Sequence, residues 1–362
     1  MDTNRLEKIR SEIDALDREL AGLIEKRMDL VSLVAEYKSR NNVNVLDAKR
    51  EEKVIENALS VVSNADYSNS IRAAFESIMA LSREYQRKKI KNKGVGAKRY
   101  ALIGEHLSHS MSVPVHEAFF SEAGIQDSYE LMEIPRNELP GVLCRLKAEG
   151  FSGINVTIPY KTEIMSQLDS VSAEAERIGA VNTILLDEKF KGYNTDYGGF
   201  GLALSHYSFE AQGKKCAVLG SGGASRAVVA YLEEHHAKSI AIISRDIGRA
   251  KKKYPELHCI HIGEFSGIGF DLIVNATPVG TAPHEDSSPI SKEQLKGAGF
   301  VMDLIYNPAE TMLLKYSREL GIPSANGLYM LAAQGVYAQG IWQSRTFDQA
   351  LVNRVYEEIK KL

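Results

Sequence analysis

Cysteine is scarce in this chain: Cys144, Cys216 and Cys259 are the three among 362 residues, and no two form a Cys-x-x-Cys pair. That scarcity excludes a disulfide framework and a zinc knuckle, and it fits a reducing compartment. Excess charge is missing as well. Lys and Arg number 44 against 47 Asp and Glu, a formal net charge of -3, which argues against nucleic acid or a membrane surface as principal partner and leaves small anionic ligands open. The stretch Met1 to Arg10 is charged from its second residue and has no apolar signal core. No apolar run elsewhere is long enough to span a bilayer, so the expected location is cytoplasmic. What remains is an ordinary globular composition, 44% hydrophobic and 25% charged, in a length that exceeds one core and implies two or three domains.

The chain is organised around Lys214 to Arg226, Lys-Lys-Cys-Ala-Val-Leu-Gly-Ser-Gly-Gly-Ala-Ser-Arg, where a buried-strand pattern runs into a glycine turn and then an apolar helix. Gly220 allows a tight turn off the strand, and Gly222 allows the backbone to approach a pyrophosphate. The helix opening at Gly223 and Ala224 aims unpaired N–H groups at that charge. Ser239 to Ser244 reads as a second strand ending on Arg245, which completes a strand–helix–strand unit. Taken alone, such a turn also fits a Gly-rich loop without a ligand.

At the other end, no proline interrupts Leu6 to Lys38, and Ile9, Ile13, Leu16, Leu20, Leu23, Ile24, Val31 and Val34 recur at helical spacing. The expectation is one helix of about 50 Å, against the roughly 26 Å diameter of a domain of about 100 residues, so a partner chain is implied to cover its stripe. Arg27 and Lys38 fall within roughly 20° of each other in the middle of that stripe, and Arg10 lies roughly 100° round from Arg27. Snorkelling or pairing with buried carboxylates would also explain the two cations. Asp47 is placed to cap a second helix with Arg50 and Glu51 in its first turn, and a third helix over about Ser68 to Lys89 sets Ser82 and Gln86 on one face.

Three helices bearing Arg10, Arg27, Lys38, Asp47, Arg50, Glu51, Ser82 and Gln86 at these spacings closely resemble the all-helical chorismate mutases over Met1 to Lys89. The resemblance implies an intertwined homodimer in which Arg27 and the partner chain's Arg10 hold the two carboxylates of chorismate. Lys38 and Gln86 would contact the ether oxygen, and Asp47, Arg50, Glu51 and Ser82 would line the site. The physics suits the reaction: a pericyclic shift needs no nucleophile or proton transfer, only two clamped anions and stabilised charge on the breaking ether. The basic, Gly-punctuated Arg87 to Arg99 reads as a linker, a solvated helix end running into a flexible joint.

From Tyr100 the pattern changes to a strand, then a loop carrying His109-Ser110-Met111-Ser112, whose alternate hydroxyls can converge on one carboxylate. Gly153 to Lys161, Gly-Ile-Asn-Val-Thr-Ile-Pro-Tyr-Lys, puts Asn155 and Thr157 on one side of a strand that stops at Pro159, just before Lys161, where ligands of open α/β sheets collect. Ala180-Val181-Asn182-Thr183 and Asn194-Thr195-Asp196 bring an amide and a carboxylate to two further strand ends. With the glycine turn, Asn275-Ala276-Thr277-Pro278, Asp303-Leu304-Ile305-Tyr306-Asn307-Pro308 and Met330-Leu331-Ala332-Ala333-Gln334, these segments resemble the shikimate dehydrogenases from about Tyr100 to Leu362.

That resemblance implies a multi-domain chain: a helical chorismate mutase domain (1–90), a linker (91–99), an α/β catalytic lobe (100–200), a Rossmann-like NADP lobe (201–325) and C-terminal helices (326–362) returning to the catalytic lobe. It implies reversible reduction of 3-dehydroshikimate to shikimate without a metal. Lys161 would be the general acid beside Asp196, Ser110, Ser112 and Tyr306 would hold the substrate carboxylate, and Thr157, Asn182 and Gln334 would read the ring hydroxyls. Asn155 would support the strand end. Cofactor positions would be Gly220, Gly222, Gly223, Ala224, Ser244, Arg245, Arg249, Asn275 and Thr277. The residues themselves favour NADP over NAD, because Ser244 and Arg245 stand where an NAD site places Asp or Glu to accept from the ribose.

Departures from the family pattern are Val113, Glu117, Ser221, Asp246, whose carboxylate stands close to the expected phosphate, and Tyr197, a bulky replacement for glycine expected to narrow the pocket. Three readings remain open at this point: a bifunctional enzyme, a dehydrogenase whose helical segment only dimerises or senses chorismate or prephenate, and a dehydrogenase acting on quinate.

Overall fold

The computed structural model describes residues 3–40, 48–93, 97–107 and 110–362, without the side chains of residues 3–4, 35–40, 48–49, 51, 65, 84 and 86–93. Lys38, Asp47, Glu51, Gln86 and His109 therefore lie, in side chain or altogether, outside the described residues. The chain divides into two units, Met1–Ala97 and Lys98–Leu362.

The first unit is all helix: α1 (Thr3–Arg40), α2 (Ala48–Ser60) and α3 (Ser68–Lys93), with α3 packed against both of the others. At 38 residues α1 is about 57 Å long. Among the described residues of this unit its stripe is uncovered, with Ile13, Leu16, Leu20 and Leu23 each 50–64% exposed. α3 continues to Lys93, so the basic stretch expected to be a linker begins as helix. Arg, Lys and Gln are good helix formers, and nothing before Lys93 breaks the run.

The second unit holds two sheets. The first is built from β1 (Arg99–Gly104), α4 (Ser112–Ala123), β2 (Ser128–Glu133), α5 (Val142–Ala148), β3 (Phe151–Val156), β4 (Ser170–Val171), α6 (Ala173–Ile178), β5 (Thr183–Leu186) and β6 (Phe190–Tyr193). Its order is β2-β1-β3-β5-β6-β4, with β5 antiparallel to both β3 and β6. α7 (Thr195–His206) leads into the second sheet: β7 (Lys215–Leu219), α8 (Gly223–Glu234), β8 (Ser239–Ser244), α9 (Ile247–Lys253), β9 (His258–His261), β10 (Leu272–Asn275), α10 (Lys292–Leu295), β11 (Phe300–Asp303), α11 (Met312–Glu319) and β12 (Ser324–Ala325).

Here the strands are short apolar runs, Cys-Ala-Val-Leu and Leu-Ile-Val-Asn among them, buried on both faces as parallel strands must be. All pairs are parallel, in the order β12-β11-β10-β7-β8-β9. The direction of winding reverses between β7 and β10, which opens a crevice at their carboxyl ends, immediately after Leu219 and Asn275. The chain closes with α12 (Leu328–Gln343), packed on α7 and α4, and α13 (Gln349–Ile359), packed on α4. Trp342 anchors α12 to the first sheet, donating to the Ile184 carbonyl at 2.9 Å and stacking on Tyr100 at 4.5 Å.

Candidate active site

A cleft of about 570 Å³ opens between the two sheets, lined from the first by Ser110, Ser112, Thr157, Lys161, Asn182 and Asp196, and from the second by residues including Thr281 and Tyr306. Gln334 of α12 completes it. Every dehydrogenase substrate residue expected from the sequence is thus on one wall or another.

Lys161 and Asp196 form its centre. Lys161 Nζ donates to Asp196 Oδ2 at 2.6 Å, with the carboxylate side chain 6% exposed and the lysine 17%. Asp196 sits in the first turn of α7, where the helix dipole favours an anion, and its own N–H is capped by the Asn194 side chain at 3.1 Å. The second carboxylate oxygen accepts from Asn182 Nδ2 at 2.9 Å. Asn182 in turn accepts from the Thr195 N–H at 2.7 Å and donates towards Gln334 Oε1 at 3.4 Å. So Asn182 both lines the cleft and orients the carboxylate. Asn155 stands behind it: its amide donates to the Asn182 carbonyl and the Thr183 hydroxyl, and its oxygen accepts from the Tyr129 hydroxyl at 2.8 Å.

Ser110 and Ser112 lie with their hydroxyls 3.1 Å apart at the start of α4, where the Ser112 N–H donates to Ser110 Oγ at 3.2 Å, so both hydroxyls are set at a helix N-terminus that suits a carboxylate. Tyr306 faces the same end of the cleft, and burial raises its phenol pKa, so it is a donor at neutral pH.

The geometry of the glycine turn suits a dinucleotide. Gly220 has φ +100°, and a Cβ there would meet Thr277 Cγ2 at 2.7 Å. At Gly222 and Gly223 a Cβ would meet nothing within 4 Å, so the N-terminus of α8 faces open space in which a pyrophosphate fits. Arg245 and Arg249 are exposed beyond β8. Asp246 caps α9, accepting from the Arg249 N–H at 2.9 Å, which directs the carboxylate into the helix end. Ser244 hydrogen-bonds the Asp246 carbonyl at 3.1 Å.

Two expectations change. Asn275, expected among cofactor contacts, is fully buried: it donates to Asp303 at 2.9 Å and accepts from Thr277 at 2.7 Å, so it fixes the turn from behind. Tyr197, expected to narrow the pocket, is not in the cleft. Its ring packs beside Tyr231 at 5.4 Å and under Arg177 at 5.6 Å, because the start of α7 turns that face towards α8. Residues that sequence reasoning passed over are Tyr129, Arg226 and Lys253. Arg226 ends the glycine motif and offered a signal, whereas the other two offered none.

In the helical unit, Arg27 Nη1 donates to the Ser82 hydroxyl at 2.5 Å, so α1 and α3 bring two of the expected residues together. Ser82 is buried, while Arg10 and Arg50 are exposed.

A doubly wound parallel sheet with a glycine turn at its switch point, opening on a lysine–carboxylate pair, defines a two-lobed dinucleotide-dependent oxidoreductase. Comparison with known proteins specifies it further. Residues 102–184 match the shikimate dehydrogenase substrate binding domain and residues 9–87 match chorismate mutase type II. Shikimate dehydrogenase (NADP(+)) of Clostridium perfringens strain 13 is 40% identical over 267 residues, 73% of this chain and 98% of that protein. The chain belongs to the shikimate dehydrogenase family and carries a chorismate mutase type II domain ahead of it. Among solved structures, a chorismate mutase/shikimate 5-dehydrogenase fusion protein from Clostridium acetobutylicum is 41% identical with a TM-score of 0.71, covering 74% of this chain and 98% of that one. Shikimate 5-dehydrogenase from Thermus thermophilus, in complex with NADP(H) and shikimate, is 34% identical with a TM-score of 0.66, covering 73% and 99%.

Proposed function

We propose that this chain is a bifunctional enzyme that reduces 3-dehydroshikimate to shikimate with NADPH and rearranges chorismate to prephenate. The observation that carries the first activity is the Lys161–Asp196 pair, 2.6 Å apart on the wall of a cleft that opens towards the dinucleotide turn. Bound NADPH supplies the hydride to the ring carbonyl carbon. Lys161 donates a proton to the carbonyl oxygen as the C=O double bond becomes single, so the product gains one C–H and one O–H. Asp196 holds the ammonium in line and accepts from the same ring hydroxyl in the reverse direction. Ser110, Ser112 and Tyr306 hold the carboxylate, while Thr157, Asn182 and Gln334 orient the ring hydroxyls. Arg245 and Arg249 take the 2'-phosphate.

In the helical unit, Arg27 clamps one carboxylate of chorismate while an ether C–O bond breaks and a C–C bond forms within the same molecule. The uncovered stripe of α1 is apolar over several turns, and a second copy of the same helix matches its length and pattern, so the unit works as a homodimer with Arg10 reaching the neighbouring site. The three free cysteines suit a cytoplasmic enzyme.

Steady-state assays on the full chain test each part. NADPH is expected to outperform NADH in kcat/KM, and Arg245→Ala to erase most of that preference; equal use of NADH by the wild type would overturn the cofactor assignment. Shikimate is expected to outcompete quinate. Arg27→Ala is expected to slow chorismate turnover about a hundredfold or more, and turnover close to wild type would remove the mutase assignment. Sedimentation at micromolar concentration should give a dimer; a monomer would refute the pairing of α1.

A further inference from the structure

Lys253, the last residue of α9, reaches under the glycine turn and donates from one ammonium to two backbone carbonyls, those of Ser221 and Gly222, the latter at 2.7 Å. The Gly222 carbonyl also accepts from Ser225 Oγ at 2.8 Å, and that hydroxyl is 3.0 Å from the Tyr254 hydroxyl. In a trans peptide the C=O and the following N–H point in opposite directions. Drawing the Ser221 and Gly222 oxygens to the inner side of the turn therefore turns the Gly222 and Gly223 N–H groups to the outer side, which is the open side.

We propose that Lys253 is a positioning residue for the dinucleotide: its ammonium holds the two carbonyls inward so that the Gly222 and Gly223 N–H groups are pre-aimed at the pyrophosphate. The proposal rests on the reading of the second unit as an NADPH-dependent enzyme. It asks of Lys253 no contact with the cofactor, only that the cradle be in place before binding, which lowers the ordering cost of association.

The surroundings make the ammonium responsive to an arriving anion. Burial and the nearby guanidinium groups of Arg226 and Arg249 push Lys253 down to about 8. Other ionisable groups around it are Arg177 of α6, Glu233 of α8, Lys252 of α9, and Tyr254 and Glu256 just beyond, and the cationic groups among them oppose protonation. A pyrophosphate on the far side of the turn adds negative charge within a few ångströms and favours the charged lysine. Binding near pH 8 should then take up a proton, by up to about half an equivalent, and affinity should fall as pH rises through that range.

Isothermal titration of NADPH into the full chain, at pH 8 in two buffers of different ionisation enthalpy, tests this. Wild type should take up a fraction of a proton. Lys253→Met should bind about tenfold more weakly, as expected for one lost charge-assisted anchor, without proton uptake, and with chorismate turnover and shikimate affinity unchanged. Lys253→Arg should recover most of the affinity but none of the uptake, since a guanidinium does not titrate there. A purely structural lysine would not produce that split. Unchanged NADPH affinity in Lys253→Met, or unchanged proton uptake in either variant, overturns the proposal while leaving the functional reading intact. A wild type that does not bind NADPH overturns both.

Discussion

Arg226, three residues into α8, donates from Nη1 to the Gly179 carbonyl at 2.9 Å and to the Ile178 carbonyl at 3.2 Å, joining the dinucleotide helix to the end of α6 beneath the first sheet. Gly179 has φ +65°, and a Cβ there would lie 2.6 Å from the same guanidinium nitrogen. Ala180, Val181 and Asn182 follow directly, and Asn182 orients Asp196. One cation thus links the lobe that carries the glycine turn to the loop that sets the carboxylate.

Arg226→Met should lower kcat for dehydroshikimate reduction about tenfold, with shikimate affinity of the binary complex within about threefold, since the pockets persist and only their mutual alignment suffers. Measuring kcat and binary Kd side by side checks this. Equal losses in both would mean that the residue only supports folding.

Lys161→Ala should abolish dehydroshikimate reduction while substrate binding stays within about tenfold, because the proton donor is lost and the carboxylate anchors remain. Chorismate turnover should be untouched, as the two units form separate compact bodies. A comparable loss of mutase activity in this variant would contradict their independence.

Two glycines of the turn should separate binding from stability. Gly222 has φ -78° and open space around its missing Cβ, so Gly222→Val should fold normally yet lose NADPH binding by about a hundredfold, its side chain occupying the pyrophosphate position. Gly220→Ala forces a Cβ into a φ of +100° and against Thr277, so it should lower stability by about 1–2 kcal/mol. Thermal melts and cofactor titrations on both variants decide, and the scheme fails if Gly222→Val binds NADPH like wild type.

His116 sits buried on α4, stacked on Tyr129 at 3.8 Å and 2.9 Å from Gln339 Nε2, and burial pushes its pKa down to about 3. The unfolded chain takes up the proton near pH 6.5 while the folded chain resists it. The neutral imidazole therefore contributes stability that is fully present above pH 6.5 and is lost as pH falls towards 3, at up to about 1.4 kcal/mol per pH unit. Asp303 works in the opposite sense: burial pushes its carboxyl up to about 6, so the folded state holds that proton more tightly between about pH 4 and 6, and stability declines as pH rises through that window. Comparing urea unfolding of wild type and His116→Gln from pH 7.5 to 4.5 isolates the histidine. The wild type should lose more stability than the variant over this range, and parallel curves would refute the assignment.

Much of this site was legible in the sequence, because its signals are local. The glycine turn announces itself in one strand–turn–helix run, and Pro159 marks the strand end near Lys161, although that strand already closes at Val156; Asp196, expected at a strand end, instead opens a helix capped by Asn194. The long α1 follows from spacing alone, as does the length of its apolar stripe. Backbone geometry and hydrophobic period act over a few residues, so residue order is enough to specify them. What only the tertiary structure decided are the partners. Asn182 meets Asp196 across 14 residues, Lys253 meets Gly222 across 31, and Arg226 meets Gly179 across 47. Whether Asn275 faces a cofactor or a buried Asp303, and whether Tyr197 faces the cleft or Arg177, depends on how α7, α8 and the second sheet pack. Those contacts form when separate elements bury their faces against each other, and no periodicity within any one element encodes which side chain will wait on the other side.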